Sequence, residues 1–297
     1  MKHNSWAIVA VWLAVVFVIC AILGAGLLFA GVRAGVFTAL SGNGRNSGWW
    51  NWRDWIASKS GGSSAYTVDF DTPAPAALYL EMVSVDVRVV TDDTLGGSIK
   101  AHFEGKRSGG DSHSIVMLRE PDGSIRFKQE SRVTIGWFNG GLSGVLTVYV
   151  PSSGIESINI SNVSGGIEAG GVGALNVFHA SAVSGDMKIE NIQSGSMSLE
   201  SVSGKVEASG IDSGKVNASS VSGGISISNT ASADASLSST SGSISYTAPT
   251  LDNIAVNASS LSGEIRVGDT RAGHRYNVSG SGGSIGAETV SGDIEIK

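Results

Sequence analysis

The sequence predicts an all-β fold, a single-chain β-solenoid that is parallel β-helix-like with about 19–20 residues per coil, preceded by an N-terminal transmembrane helix. Three observations predict it. A phrase reading apolar, Ser, Gly, any residue, apolar recurs at 163–167, 183–187, 202–206, 221–225, 240–244, 261–265 and 290–294, with one serine-to-serine step of 20, three of 19, one of 21 and one of 29. Upstream, Val83-Ser84-Val85-Asp86-Val87-Arg88-Val89 alternates apolar and polar at period two, the pattern of a half-buried strand. At the start of the chain, Trp6 to Ala30 is an almost unbroken apolar run with no charged residue.

Taken in order, residues 1–5 are a short tail and 6–32 the transmembrane helix, because the run exceeds the roughly 20 apolar residues that span a bilayer. It is also longer than the core of a cleaved signal peptide and has no convincing small-x-small site, so an uncleaved anchor is the reading and a cleaved signal its alternative. Cys20, the only cysteine, lies inside the run and reads as a buried thiol. Residues 33–65 form a juxtamembrane linker with tryptophans at 49, 50, 52 and 55. Indole rings suit the headgroup layer, where an apolar body and an N–H donor are both satisfied. Packing under the first strands of the body and an aromatic carbohydrate platform are the other readings. Arginines at 33, 45 and 53 face Lys2 across the helix and leave orientation undecided by charge. The export-like segment, the single cysteine and the Gly-Ser turns place the body on the extracytoplasmic side.

Residues 66–151 read as an irregular β-strand part that caps the domain. Tyr66 to Phe70 alternates, Pro73-Ala74-Pro75 marks a turn, and Ile99 to Phe103 and Ile115 to Leu118 are further strands. Pro121-Asp122-Gly123 turns the chain into Ile125 to Lys128, and Val145 to Val150 closes the part before Pro151.

Residues 152–297 are the Val-Ser-Gly repeat solenoid. Glycine supplies the positive φ or the close backbone approach a tight corner needs, and alternate apolar residues after it point to one face of a short strand. Such a strand cannot bury its face alone, so copies must stack. Seven to eight coils about 4.8 Å apart would make a rod on the order of 35 Å. Alanines at 182, 208, 218 and 258 point to a thin interior. Stacked serines either ladder inside the corners or, the favoured reading, solubilise the outside. An open strand edge invites association unless charged. With the coils in sequence order, that edge is Ser291 to Lys297, guarded by Asp293, Glu295 and Lys297 or covered by a second copy.

The chain carries a formal charge of −6. Residues 1–60 hold five basic residues and one acidic, which leaves 15 basic and 25 acidic residues, a charge of −10, on the body. That balance argues against nucleic acid as a partner. Histidines at 3, 102, 113, 179 and 274 lack metal-ligand spacing and read as surface imidazoles. Asp69, Asp71, Asp92 and Asp93 lack the spacing of a calcium loop and read as solvated turn carboxylates. A glycan-active solenoid would need carboxylates gathered on one face. The free position after Ser-Gly holds instead Gly166, Asp186, Lys205, Gly224, Ser243, Glu264 and Asp293, and two places on, Glu168, Lys188 and Glu207 look like cross-coil charge pairs. The sequence nominates no catalytic, cofactor-binding or metal-ligating residue and no cofactor.

The succession of Val83 to Val89, Gly123 to Phe127, Leu146 to Pro151 and the repeated Val-Ser-Gly-x-Ile, with Val-Ser-Gly-Asp-Ile at 290–294, resembles the bacterial putative-adhesin family of β-strand repeat domains, also described as toast-rack-like and of unknown function. The resemblance covers about residues 66–297. It implies a stacked-strand fold in bacterial envelope proteins, often membrane-anchored and associated with envelope stress, with no established catalytic residues to carry over. The expectation is therefore a non-catalytic protein of the bacterial cytoplasmic membrane, single-pass, whose ectodomain is an interaction, adhesion or stress-sensing surface for an envelope component or protein. The alternatives are a glycan-active β-helix lyase or hydrolase, and a self-associating rod with homotypic contact at the C-terminal solenoid edge.

Overall fold

In the computed structural model of the chain, residues 63–297 are described, apart from 109–112, 132–140, 229 and 233. The expected transmembrane helix at 6–32 and the tryptophans of the linker lie outside the described residues. Among the described residues no helix is long and apolar enough to cross a membrane.

The first strands are β1 (Ser64–Pro73), β2 (Ala77–Met82), β3 (Asp86–Thr91), β4 (Ser98–Arg107), β5 (His113–Arg119), β6 (Ile125–Ser131) and β7 (Leu142–Val150). The repeats follow as strand pairs: β8 (Ser157–Asn162) and β9 (Ile167–Gly170), β10 (Leu175–Ala182) and β11 (Met187–Glu190), β12 (Gln193–Ser201) and β13 (Val206–Ser209). Then come β14 (Asp212–Ser220) and β15 (Ile225–Ser228), β16 (Asp234–Ser239) and β17 (Ile244–Tyr246), β18 (Ala255–Ser262) and β19 (Ile265–Val267). An excursion through β20 (Thr270–Ala272) and β21 (Arg275–Val278), one strand in each sheet, precedes β22 (Ser284–Ser291) and β23 (Ile294–Ile296).

These strands form two sheets, one of 12 strands ordered β1-β4-β7-β3-β9-β11-β13-β15-β17-β23-β19-β20 and one of 11 ordered β21-β18-β22-β16-β14-β12-β10-β8-β2-β6-β5. From β8–β9 onward each coil places its longer strand in the second sheet and its shorter one in the first. Removing the antiparallel strands β1, β4 and β20 from the first sheet, and β5 and β21 from the second, leaves nine parallel coils in each. Two of them, β2–β3 and β6–β7, lie within 66–151. The all-β stacked architecture is therefore as the periodicity predicts.

Between the sheets runs a thin core. Ile167 and Ala169, Met187 and Ile189, Val206 and Ala208, and Ile225 and Ile227 face inward from the first sheet, against Ile158 and Ile160, Phe178 and Ala180, Met197 and Leu199, and Val216 and Ala218 from the second. All are nearly inaccessible. Parallel strands usually have both faces covered. Here the two sheets share only their inner faces, and the outer faces carry the polar residue of each alternation.

The two corners of a coil are built differently. At the Ser-Gly corner the stacked glycines do not have positive φ. A Cβ on Gly185 would collide with the carbonyl oxygen of Gly165, one on Gly204 with that of Gly185, and one on Gly223 with that of Gly204, so glycine is required there for close approach. The opposite corner uses left-handed backbone, with Gly171 at φ 77°, Asn191 at 52° and Gly210 at 64° in equivalent places.

The serines of the phrase itself, from Ser164 to Ser291, are exposed as the favoured reading has it, while a second, buried polar column runs inside the Ser-Gly corner. Asn162, Ser201, Ser220, Ser239, Thr289 and Ser260 occupy one register row, interrupted by Ala182 between Asn162 and Ser201, and are each at most 7 % exposed. Their reason is the tight corner: Ser220 Oγ accepts the Gly223 N–H at 2.8 Å and Ser201 Oγ the Gly204 N–H at 3.0 Å, groups the sheet ladder leaves unpaired. The valine of the phrase, by contrast, is not core. Val163, Val183, Val202 and Val221 sit half-exposed on the corner, and Leu261 at the last coil is 70 % exposed.

The stacking order corrects the expected C-terminal end. The last repeat, β22–β23, is not the edge of the solenoid: β22 pairs in parallel with both β16 and β18, and β23 with both β17 and β19. The edges are the antiparallel strands β20 and β21. At the other end, β6–β7 is the outer coil and β2–β3 lies between it and β8–β9, with β4 and β1 beyond β7 and β5 beyond β6. Antiparallel partners satisfy an end coil without offering a further parallel template.

Candidate interaction face

The outward residue at the centre of each short strand falls on one line across the first sheet. Register places Arg88 opposite Glu168, Glu168 opposite Lys188, and Lys188 opposite Glu207. The alternation Glu168, Lys188, Glu207 is thus real in space, and Arg88 heads it. Arg88 Nε meets Glu168 Oε2 at 2.8 Å across the coils. Lys188 instead pairs along its own strand, with Glu190 Oε1 at 3.1 Å, and Lys205 pairs with Glu207. The residues of the expected alternation are thus neighbours across coils, but neither Glu168–Lys188 nor Lys188–Glu207 closes as an ion pair: Glu168 takes Arg88 instead, and Lys188 and Lys205 turn lengthwise, because same-face residues two apart lie within reach of a lysine stem. The hydrogen bond and charge of Glu190 raise the Lys188 ammonium above its ordinary value, with Glu168 and Glu207 adding to it, and Glu207 does the same for Lys205, with Asp186 adding.

Beside this line, two aspartates at the Ser-Gly corners reach over to the next coil. Asp86 Oδ1 accepts the Gly166 N–H at 2.8 Å and Asp186 Oδ1 the Lys205 N–H at 2.8 Å. Asp293 repeats the arrangement toward Glu264 N at 2.9 Å. Two shallow depressions follow from this relief, one around Asp86, Glu168, Lys188 and Lys205, the other around Arg88, Glu168 and Glu190. Every carboxylate on them is already engaged, Glu168, Glu190 and Glu207 by a cation and Asp86 and Asp186 by a backbone N–H. A glycosidase needs one carboxyl held protonated beside another free to attack or to activate water. This face presents a closed charge pattern of alternating sign, suited to contact with a polar surface.

The remaining residues singled out in sequence are dispersed. His102 Nδ1 lies 2.6 Å from Asp69 Oδ1 on the outer face of the first sheet, so its imidazole is partnered. His113 is 6 % exposed and is not a surface imidazole, since its place on β5 points inward. His179 is half-buried on the outer face of the second sheet and His274 is exposed; His3 lies outside the described residues. Asp92 caps a 3-10 turn at Asp93–Leu95, accepting from Thr94 N at 2.9 Å and Thr94 Oγ1 at 2.6 Å, while Asp93 Oδ1 accepts from Ser152 N at 2.8 Å. These hydrogen bonds hold both carboxyls below the usual aspartate range. Among the described residues no group of three or more His, Cys, Asp or Glu could hold a metal ion.

Sequence reasoning missed Arg88 because its coil lacks the signature glycine. Val83-Ser84-Val85-Asp86-Val87 is nevertheless a copy of Val183-Ser184-Gly185-Asp186-Met187 with Val85 in the glycine place. Aligning on Val-Ser-x-Asp rather than on glycine would have found it.

The model of the Toastrack DUF4097 family matches residues 76–297. No curated protein matches. Among solved structures, the chain is similar to a putative cell adhesion protein from Clostridium sporogenes at 14 % identity, covering 80 % of this chain and 99 % of that one with a TM-score of 0.32. It is similar to a putative adhesin from Bacteroides fragilis at 12 % identity, covering 79 % and 97 % with a TM-score of 0.41. A putative lipid binding protein from Parabacteroides distasonis matches at 12 % identity over 80 % and 98 %, with a TM-score of 0.46.

Proposed function

From the premise that this chain belongs to the Toastrack DUF4097 family, we propose that it is a non-catalytic interaction module of the bacterial cell envelope, held at the cytoplasmic membrane by residues 6–32 with its solenoid on the extracytoplasmic side. The observation that carries the reading is the charge closure of the first sheet's outer face. The five carboxylates around its two depressions, Asp86, Glu168, Asp186, Glu190 and Glu207, are each engaged, which leaves no poised acid or base in either depression and fixes the sign pattern there. Such a face contributes specificity and on-rate through charge complementarity more than raw affinity. Its natural ligand class is an envelope protein or polymer that presents its own alternating charges.

Crosslinking in intact envelopes followed by capture of the anchored protein tests this. The pattern of captured components changes for a variant carrying both Lys188→Glu and Lys205→Glu, and stays as in the native chain for a double reversal on the opposite sheet, Lys128→Glu with Lys215→Glu. An unchanged pattern for the first variant overturns the assignment to this face. Glycan cleavage by the purified chain would overturn the non-catalytic reading.

A further inference from the structure

The coil β22–β23 comes last among the described elements in sequence, yet it is the second from the end in space. The end coil β18–β19, with its caps β20 and β21, has no hydrogen-bonded strand neighbour deeper in the stack other than β22 and β23. Release of β22–β23 therefore frees β18–β19 with it, and the slot to be refilled when the stack closes again has two parallel edges in each sheet, on β16–β17 and on β18–β19; the segment reaching it is 279–283, Ser-Gly-Ser-Gly-Gly. The segment is latched by Asn253, a residue at φ 60° whose carbonyl accepts from Ser281 N at 3.0 Å and Gly282 N at 2.8 Å.

The slot is shaped for one kind of insert. Asp234 Oδ1 accepts from Ser284 N at 3.1 Å and Ser284 Oγ at 2.6 Å at its entrance, and Asp293 accepts from Glu264 N at the far side. Thr289 Oγ1 donates to Gly242 O at 3.2 Å and completes the buried hydroxyl column. Gly292 fits between two close carbonyl contacts: a Cβ there would strike Gly242, and one on Gly263 would strike Gly292. Ile285 and Ala287 fill the core between Ala235 and Leu237 on one side and Val256 and Ala258 on the other. A generic strand meets the ladder but not these groups, whereas residues 284–296 of a second copy meet all of them.

We infer that β22–β23 is an exchangeable coil and that a second copy of this chain is the partner for its slot, giving a dimer in which each molecule completes the other's stack. The exchanged and unexchanged forms share every contact outside 279–283, so the dimer forms at high concentration whenever the coil is released. The full chain in detergent, with Cys20→Ser, tests it through register-specific disulfides. Ser236 and Gly286 are register partners on the outer face of the second sheet, and Ser245 and Glu295 on that of the first. Parallel neighbours at this spacing are within disulfide reach. Ser236→Cys protein and Gly286→Cys protein are mixed, released by brief partial denaturation, refolded at high concentration and oxidised. Exchange yields a cross-chain disulfide at least ten-fold above that of a mismatched mixture, Ser236→Cys with Asn159→Cys, and the Ser236→Cys/Gly286→Cys double variant, locked within one chain before release, yields no dimer. A matched mixture no better than the mismatched one, with the double variant locking normally, overturns the inference. The Ser245→Cys/Glu295→Cys pair repeats the measurement in the other sheet, and failure of both double variants to lock overturns the inserted position itself.

Discussion

At the Ser-Gly corner, the serine that matters is not the one beside the glycine. Ser203 and Ser222 are exposed, while Ser201 and Ser220, two places earlier, are buried and cap the glycine N–H. Ser220→Ala leaves the Gly223 N–H without its acceptor in a site closed to water, which costs about 1–3 kcal/mol. Ser222→Ala, at an exposed place, stays within about 0.5 kcal/mol. Urea titration of the two variants distinguishes them, and equal midpoints would refute the capping role. Gly204→Ala acts through another cause, because its methyl meets the Gly185 carbonyl and the coils must part to admit it. Overpacking of that kind costs about 1–3 kcal/mol, and the same measurement reads it against Gly154→Ala, which meets no neighbour but pays for its positive φ. Gly204→Ala lowers the midpoint further. The serine phrase was legible as a repeat, but Ser201 and Ser203 are the same letter, and only the fold separates the inward hydroxyl from the outward one.

Among elements, the short turn at Asp93–Leu95 ties the end of β3 to the chain entering the repeats, through Asp92 onto Thr94 and Asp93 onto Ser152. Both carboxyls are held below their ordinary value by the hydrogen bonds they accept. A lowered folded pKa stabilises the ionised turn above the unfolded aspartate value of about 3.9, and that contribution is lost as pH falls through the folded value. The Thr94 and Ser152 amide resonances therefore hold constant down to about pH 4 and shift below it, with midpoints under the ordinary aspartate value. A midpoint at or above that value would refute the assignment. Periodicity showed the strand elements well: alternation at 83–89 announces β3, and the phrase announces β9, β11, β13 and β15. It marks no boundary between β2 and β3, because Val85 stands where glycine marks the later Ser-Gly corners, and the corner at Ser84 carries the same alternation as a strand. The candidate face was half legible for the same reason: Glu168, Lys188 and Glu207 follow from the period, while Arg88 lies in the copy without glycine. The pairing of Lys188 with Glu190 was beyond the sequence altogether, since lengthwise and crosswise partners differ only in side-chain reach.

For the molecule as a whole, local periodicity determines that coils stack but not their order. Every coil presents the same ladder and the same narrow core, so the order at the ends rests on what lies between the coils, here the excursion through β20 and β21 and the connection at 279–283. Repeat proteins with sequential coils have stabilities close to a sum of intrinsic and nearest-neighbour terms, and they fray from the end one unit at a time. This stack is pinned instead. The end coil β18–β19 neighbours β22–β23, and β22–β23 in turn neighbours β16–β17, so the chain must pass outward, turn and come back before the last interface is made. Opening of the end coil alone would leave the outer edges of β22 and β23 unpaired, with 279–283 still wrapped around Asn253. The two coils therefore open together, as one cooperative unit spanning about residues 255–296. Native-state hydrogen exchange reads this directly, because amides that open in one event share one free energy and one denaturant dependence. The interior amides of β18 and β22 are expected to share both, and to be less protected than those of β12 and β14. If β18 instead exchanges through a lower-energy opening than β22, the end frays stepwise, and the returning coil provides no pin.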